Sequence, residues 1–475
     1  KRIFIIMFIT FFKGVKMFKL FSIITFFITS SLYASGTTSE VAPDLTMTWL
    51  GWSSLLIFTI GYYFIATEDK YEIDKAKPAI FIGTLMFILV AIYYYMNHLN
   101  MDLIHNQVNH LILEISGIFF FLFVAMTYIE SLIHMNVFDK LKYKLVSKGY
   151  TYRQLFWVTG IIAFFLSPIA DNLTTALILA TVLITIEKNN LKFLVPGAIN
   201  IVVAANAGGA WSPFGDITTL MTWTAGKGTF VDFMFLFPAS IVGYIVTAFL
   251  LSRFVPETSP ECDVNCEEPQ MAKGAKVVMV LGILTIACAV VSHQVLHLPA
   301  MWGMMFGLSI LKLYSYFLKK KHGKDHFVIF DAIAKVEYNT LLFFFGILAA
   351  VGALYFVGWL ALAAVVYQPE ILGPTLSNIG VGFLSAIVDN IPVMSAVLKA
   401  NPLMGLDQWM LVTLTAGTGG SMIAFGSAAG VGVMGKLHGI YTFSSHMKYA
   451  WTIVIGYFVS IAIWYLQYQI LGIGI

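Results

Sequence analysis

Two short stretches of this sequence set ionisable groups inside runs that are otherwise apolar. Residues 167–175 read Ser-Pro-Ile-Ala-Asp-Asn-Leu-Thr-Thr, and residues 385–392 read Ser-Ala-Ile-Val-Asp-Asn-Ile-Pro. Asp171 with Asn172, and Asp389 with Asn390 218 positions later, each put a carboxylate beside an amide, with helix-breaking Pro168 or Pro392 close by. A carboxylate in the middle of a membrane segment costs about 2.5–3.5 kcal/mol on insertion scales, so it calls for a compensating partner. Carboxylates, amide oxygens and the Thr174 and Thr175 hydroxyls are the oxygen ligands a hard cation such as sodium requires. The same carboxylate also accepts a proton, and competition of proton and cation for one Asp is enough to exchange them.

A second pair of words supports the first. Gly208-Gly209-Ala210-Trp211-Ser212-Pro213-Phe214-Gly215 matches Gly419-Gly420-Ser421-Met422-Ile423-Ala424-Phe425-Gly426 at a constant offset of 211. Gly208, Gly209, Gly419 and Gly420 permit unwound backbone whose carbonyls face a small cation. The first of these words runs on into Asp216-Ile217-Thr218-Thr219, a third intramembrane carboxylate with two hydroxyls, whereas its partner continues as Ser427-Ala428-Ala429. The repeat is therefore lopsided in charge. Phe119-Phe120-Phe121 and Phe343-Phe344-Phe345 precede the two Asp-Asn words in the same order.

The elements that must hold these words are membrane helices. The chain has 475 residues, 59% hydrophobic and 11% charged, with apolar runs near the 20 residues that cross a bilayer core. A soluble enzyme is excluded, and a net charge of +3 spread over loops gives no reason to expect nucleic acid. Runs 153–187 and 376–399 carry the Asp-Asn words and are read as re-entrant hairpins; the others supply five spans in each half. Lys140, Lys142, Lys144, Lys148 and Arg153, then Lys188 and Lys192, then Lys319, Lys320, Lys321, Lys324 and Lys335 all fall inside on this count, and only Lys227 and Lys399 fall outside. An odd number of spans per half turns the second half over. The expected fold is an all-α polytopic membrane protein, an inverted repeat of two five-span halves, each with a hairpin and a broken helix.

Along the chain, residues 1–36 read as a signal peptide or an uncleaved N-terminal anchor, with Met17 as the start and Ala34-Ser35-Gly36 as a cleavage site. The first repeat spans 37–253, a cytoplasmic linker 254–275 and the second repeat 276–475, so the mature N-terminus and the C-terminus are expected to be periplasmic. Cys262, Cys266 and Cys288 form no disulfide framework, and no motif calls for a cofactor.

Plainer readings stand beside these. Asp171 and Asp389 could be helix N-caps, and Thr174 and Thr175 could bond back to the preceding turn. Glu130 is either a proton-relay member or an interfacial residue, and Glu114 and Glu337 sit near span ends.

Taken together, the words at 167–175, 208–219, 337–344, 388–392 and 418–421 resemble those of the NhaD-type sodium/proton antiporters, a family of the ion transporter superfamily, from about Thr46 to the C-terminus. The resemblance implies a scaffold and a transport domain in each protomer and a homodimer. It also implies sodium, often lithium too, exchanged for protons across a bacterial inner membrane. By position, Asp171, Asn172, Asp389, Asn390, Asp216, Thr218 and Thr219 become the transport residues, with Glu130 a candidate and Na+ held at Asp171, Asn172, Asp389 and Asn390. Two alternatives compete with this: an anion carrier of the same superfamily, for a dicarboxylate or arsenite, and the membrane subunit of a redox proton pump. Fixed carboxylates at both tips argue against the anion, and the absence of a convincing quinone or flavin motif argues against the pump.

Overall fold

The computed structural model describes residues 43–71, 73–260, 268–322 and 329–474. The expected signal or anchor segment at 1–36 lies outside the described residues, as do Cys262 and Cys266 in the linker. Among the described residues there are helices and no strands. The principal helices of the first half are α1 (Trp49–Ala66), α2 (Ala76–Met96), α3 (Met101–His134), α4 (Tyr152–Ala170), α5 (Asn172–Ile186), α6 (Leu191–Gly209), α7 (Ile217–Thr224) and α8 (Phe237–Ser252). Those of the second half are α9 (Ala275–Gln294), α10 (Ala300–His322), α11 (Tyr338–Val357), α12 (Gly373–Ile387), α13 (Asn390–Ala400), α14 (Leu406–Gly419), α15 (Ala428–Lys436) and α16 (Ala450–Trp464).

Eight helical segments among the described residues are long and apolar enough to cross a membrane. This makes the chain a multi-pass membrane protein. The ten full spans read from the sequence are not all of that kind, for local reasons. The last turns of α10 carry Lys319, Lys320 and Lys321, and the run 407–435 is divided into α14 and α15. One of the two most apolar segments, in α9, is only 28% buried, and its exposed Val280 and Leu284 face lipid. By contrast every residue from Phe193 to Gly209 in α6 and from Gln408 to Gly419 in α14 is buried. Helices enclosed on all sides form the centre of the molecule.

The order of elements in the second half parallels the first, and the contacts recur with it. Helix α4 packs on α6 as α12 packs on α14, α3 packs on α10 as α11 packs on α2, and α8 packs on α16 across the halves. Glycine is required where α6 meets α4: a Cβ on Gly208 would lie 2.2 Å from the Phe164 carbonyl oxygen. Its counterpart Gly419 stands 2.2 Å from the Gly382 carbonyl on α12 by the same measure. The serines of the Asp-Asn words obey the same relation. Ser167 Oγ donates to Ala205 O at 2.6 Å and Ser385 Oγ to Ala416 O at 2.7 Å. The glycine pairs thus serve close backbone contact, besides preparing the breaks that follow them.

Helices α4 and α5 double back on each other. Tyr152 at the start of α4 donates its hydroxyl to Glu187 at the end of α5, which ties the two open ends together. Asp171, at φ 57°, makes the reversal between them. In the second half α13 has 11 residues, about 16 Å of helix, well short of a hydrocarbon core of about 30 Å.

Candidate cation site

Asp171 ends α4 and caps α5. Its Oδ1 accepts the Thr174 amide at 2.8 Å and its Oδ2 accepts the Thr174 hydroxyl at 2.9 Å. The N-cap reading is therefore realised here, with the second oxygen held by a hydroxyl. Asp216 caps α7 in turn, with the Thr218 amide 3.4 Å from its Oδ1, and Thr219 spends its hydroxyl on the Ser212 and Asp216 carbonyls. Asp389 is different. It makes no side-chain capping bond to α13, and its Oδ1 is buried without a hydrogen-bond partner.

The breaks in the helices bring these words together across the halves. Asn390 Nδ2 donates to Asp216 Oδ2 at 2.9 Å, so the second Asp-Asn word touches the carboxylate of the first half. The reciprocal link is indirect: Asn172 Nδ2 donates to Asn206 Oδ1 at 3.0 Å, and Asn206 Nδ2 donates to Ser421 Oγ and Ser427 Oγ, both at 2.8 Å. Ser427 caps α15 as Asp216 caps α7. Each tip asparagine thus reaches the cap of the other half's short helix, one directly and one through Asn206. Helix α5 accordingly packs on α15, and α13 on α7.

Asp216 and Asp389 are 3% and 6% exposed, while Asp171 is partly buried. Among the described residues none of the three lies within 4 Å of a basic group. Asp171 and Asp216 border one cavity of about 190 Å³ whose walls are mainly apolar, including Phe121, Leu122, Phe214 and Ile283. Asp389 borders another of about 30 Å³, together with Tyr62, Glu68 and Lys75. Asp171 and Asp389 therefore face separate cavities, and the contact between the halves runs through Asn390 and Asp216. Buried oxygens without a hydrogen-bond partner fall on the same words: Thr175 Oγ1, Thr218 Oγ1, Asp389 Oδ1 and Asn390 Oδ1. Each of these oxygens is free to accept a hydrogen bond or to contact a cation.

Glu130 lies on α3 within electrostatic range of Lys335 and Glu337, and Glu337 is in turn within range of Asp171. Glu114 pairs with Lys399 at 2.8 Å, which ties α3 to α13. Sequence reasoning overlooked Asn206, the hub of the first link, and His446, whose ring bridges the Tyr441 hydroxyl at 2.7 Å and the Met422 carbonyl at 3.1 Å. Asn200 and Asn206 are two amides in the buried, apolar part of α6, but nothing in the local sequence shows what they bind.

Residues 55–417 match a family model described as a citrate transporter. The chain is 41% identical to a Na+/H+ antiporter NhaD of Vibrio cholerae, over 91% of this chain and 95% of that one. It is 44% identical to the protein of the same name in Vibrio parahaemolyticus, over 81% and 97% of the two chains. A sodium/proton antiporter 1 of Arabidopsis thaliana is 32% identical over 80% of this chain and 66% of its own. Likeness of this extent means that the chain belongs to the NhaD-type sodium/proton antiporters, within the wider family of that citrate-transporter model.

Proposed function

We propose that this protein exchanges Na+ for H+ across the bacterial inner membrane, with Asp171, Asp216 and Asp389 as the carboxylates for which proton and cation compete. The observation that carries the reading is that, among the described residues, these three carboxylates have no basic partner within 4 Å, while Asp389 Oδ1, Asn390 Oδ1, Thr175 Oγ1 and Thr218 Oγ1 are buried without a hydrogen bond as well. An anion has nothing to gain from three fixed carboxylates, whereas a cation or proton resolves their burial. Asn172, Asn390, Thr174, Thr175, Thr218 and Thr219 supply or hold further oxygens. Lithium, equally hard and smaller, is a second substrate on the same chemistry.

The two halves are read as an inverted repeat and the Asp-Asn segments as re-entrant hairpins entering from opposite faces, with both termini periplasmic. Support comes from the basic loops on one side and from contacts that recur between the halves. The homodimer implied by the family resemblance belongs to the same proposal. Everted vesicles from cells lacking their own antiporters, loaded with a pH dye, provide the test. Added Na+ should dequench the dye with the wild type and fail to do so with Asp171→Asn, Asp216→Asn or Asp389→Asn. A wild type silent to Na+ and Li+ would end this reading.

A further inference from the structure

Lys75 begins α2 at the end of a charged loop, a position that reads as solvated surface. In the fold it borders the same cavity of about 30 Å³ as Asp389, with Tyr62 and Glu68 completing the polar part of the wall. That volume holds about one water-sized occupant. The Lys75 ammonium rests 4.7 Å from the centre of the Phe343 ring, the first of the triple phenylalanine of α11, which holds a cation without neutralising it. The loop is anchored by the Lys75 amide, 3.3 Å from Glu68 Oε1. Across the cavity the Asp389 Oδ1 is buried and without a partner, and no ion pair within 4 Å joins the two side chains. A tethered ammonium, a carboxylate oxygen in need of charge and space for one small particle therefore meet in one enclosure.

We propose that Lys75 is the resident counter-cation of Asp389 and so a specificity-determining residue of the exchanger: its ammonium and an incoming Na+ exclude each other at that carboxylate. The cavity has room for about one water-sized occupant, so the ammonium and an incoming Na+ cannot both stand against Asp389 Oδ1, and at that range the two cations repel, with Glu68 further along the same wall. From its place on the Phe343 face the ammonium can reach toward Asp389 while the cavity is free, and an incoming Na+ holds it off. Competition raises the sodium concentration needed for half-maximal exchange, and it keeps the unloaded carrier from moving with a bare carboxylate.

The inference rests on the sodium/proton reading, and the test separates the two. Sodium-dependent dequenching is measured in everted vesicles for the wild type, Lys75→Gln and Lys75→Arg. With the competitor removed, Lys75→Gln should lower the KM for Na+ about fivefold to tenfold and lower the maximal rate. Lys75→Arg, which keeps the charge, should bring KM back toward the wild type. If Lys75→Gln is too slow to give a rate, the Na+ concentration that half-stabilises the purified variant against heat should fall by the same factor. An unchanged or raised KM in Lys75→Gln, or an unchanged half-stabilising concentration, overturns the role of Lys75 while leaving exchange intact. A wild type without any sodium response overturns the exchange reading itself.

Discussion

At the scale of single residues, Asn206 connects more of the site than any one carboxylate does. Its amide accepts from Asn172 and donates to Ser421 and Ser427, so it ties a hairpin tip of the first half to the glycine word of the second. Asn206→Ala leaves two buried hydroxyls and a buried amide to find other partners. A loss of about 1–3 kcal/mol is expected, read as a lower thermal midpoint in detergent, together with a weakened Na+ response in vesicles. The sequence announced the carboxylates because Asp in an apolar run is costly wherever it sits. It was nearly silent about Asn206, whose acceptors and donors lie 34, 215 and 221 positions away and cannot be read from local pattern. Lys75 was hidden for the opposite reason. Among Glu68, Asp69, Lys70, Glu72 and Asp74, a lysine looks like ordinary loop charge until folding sets it opposite Asp389.

At the scale of elements, the hairpin depends on how its open ends are held. The Tyr152 hydroxyl, and after it the amides of Asn189 and Lys188, hold the Glu187 carboxyl below the usual carboxylate range. Because the folded-state value is lowered, the stabilisation is present above the unfolded value of about 4.3 and is lost as pH falls through the folded one. Glu187→Gln should therefore melt below the wild type at neutral pH, with the gap closing as the pH is lowered beneath about 4. Thermal midpoints of the two proteins across that range check the sign, and a gap that widens on acidification would refute it. Element type and order were legible beforehand, since hydropathy and proline alone separate spans from broken segments. The division of labour at the tips was not. Only the fold reveals that Asp171 is a satisfied cap while Asp389, its counterpart in sequence, is left with an unpartnered oxygen.

At the scale of the whole molecule, the two halves are related by contact as well as by order. Gly208 against Phe164 and Gly419 against Gly382, like Ser167 to Ala205 and Ser385 to Ala416, repeat with the offsets found in the words themselves. The likeness stops at charge, because Asp216 has only Ser427 opposite it.

The interlock of α5 with α15 and of α7 with α13 also carries a consequence for biosynthesis. Neither half seals its own cavity, so when residue 253 leaves the ribosome the carboxylates at 171 and 216 are already in the membrane while the surfaces that enclose them are not yet made. Asp216 gains Asn390 only after 174 further residues have been added. A chain ending at residue 253 should thus be short-lived in cells. Separately encoded fragments 1–253 and 254–475, produced together, should protect each other from degradation and recover Na+-dependent dequenching, whereas either fragment alone should do neither.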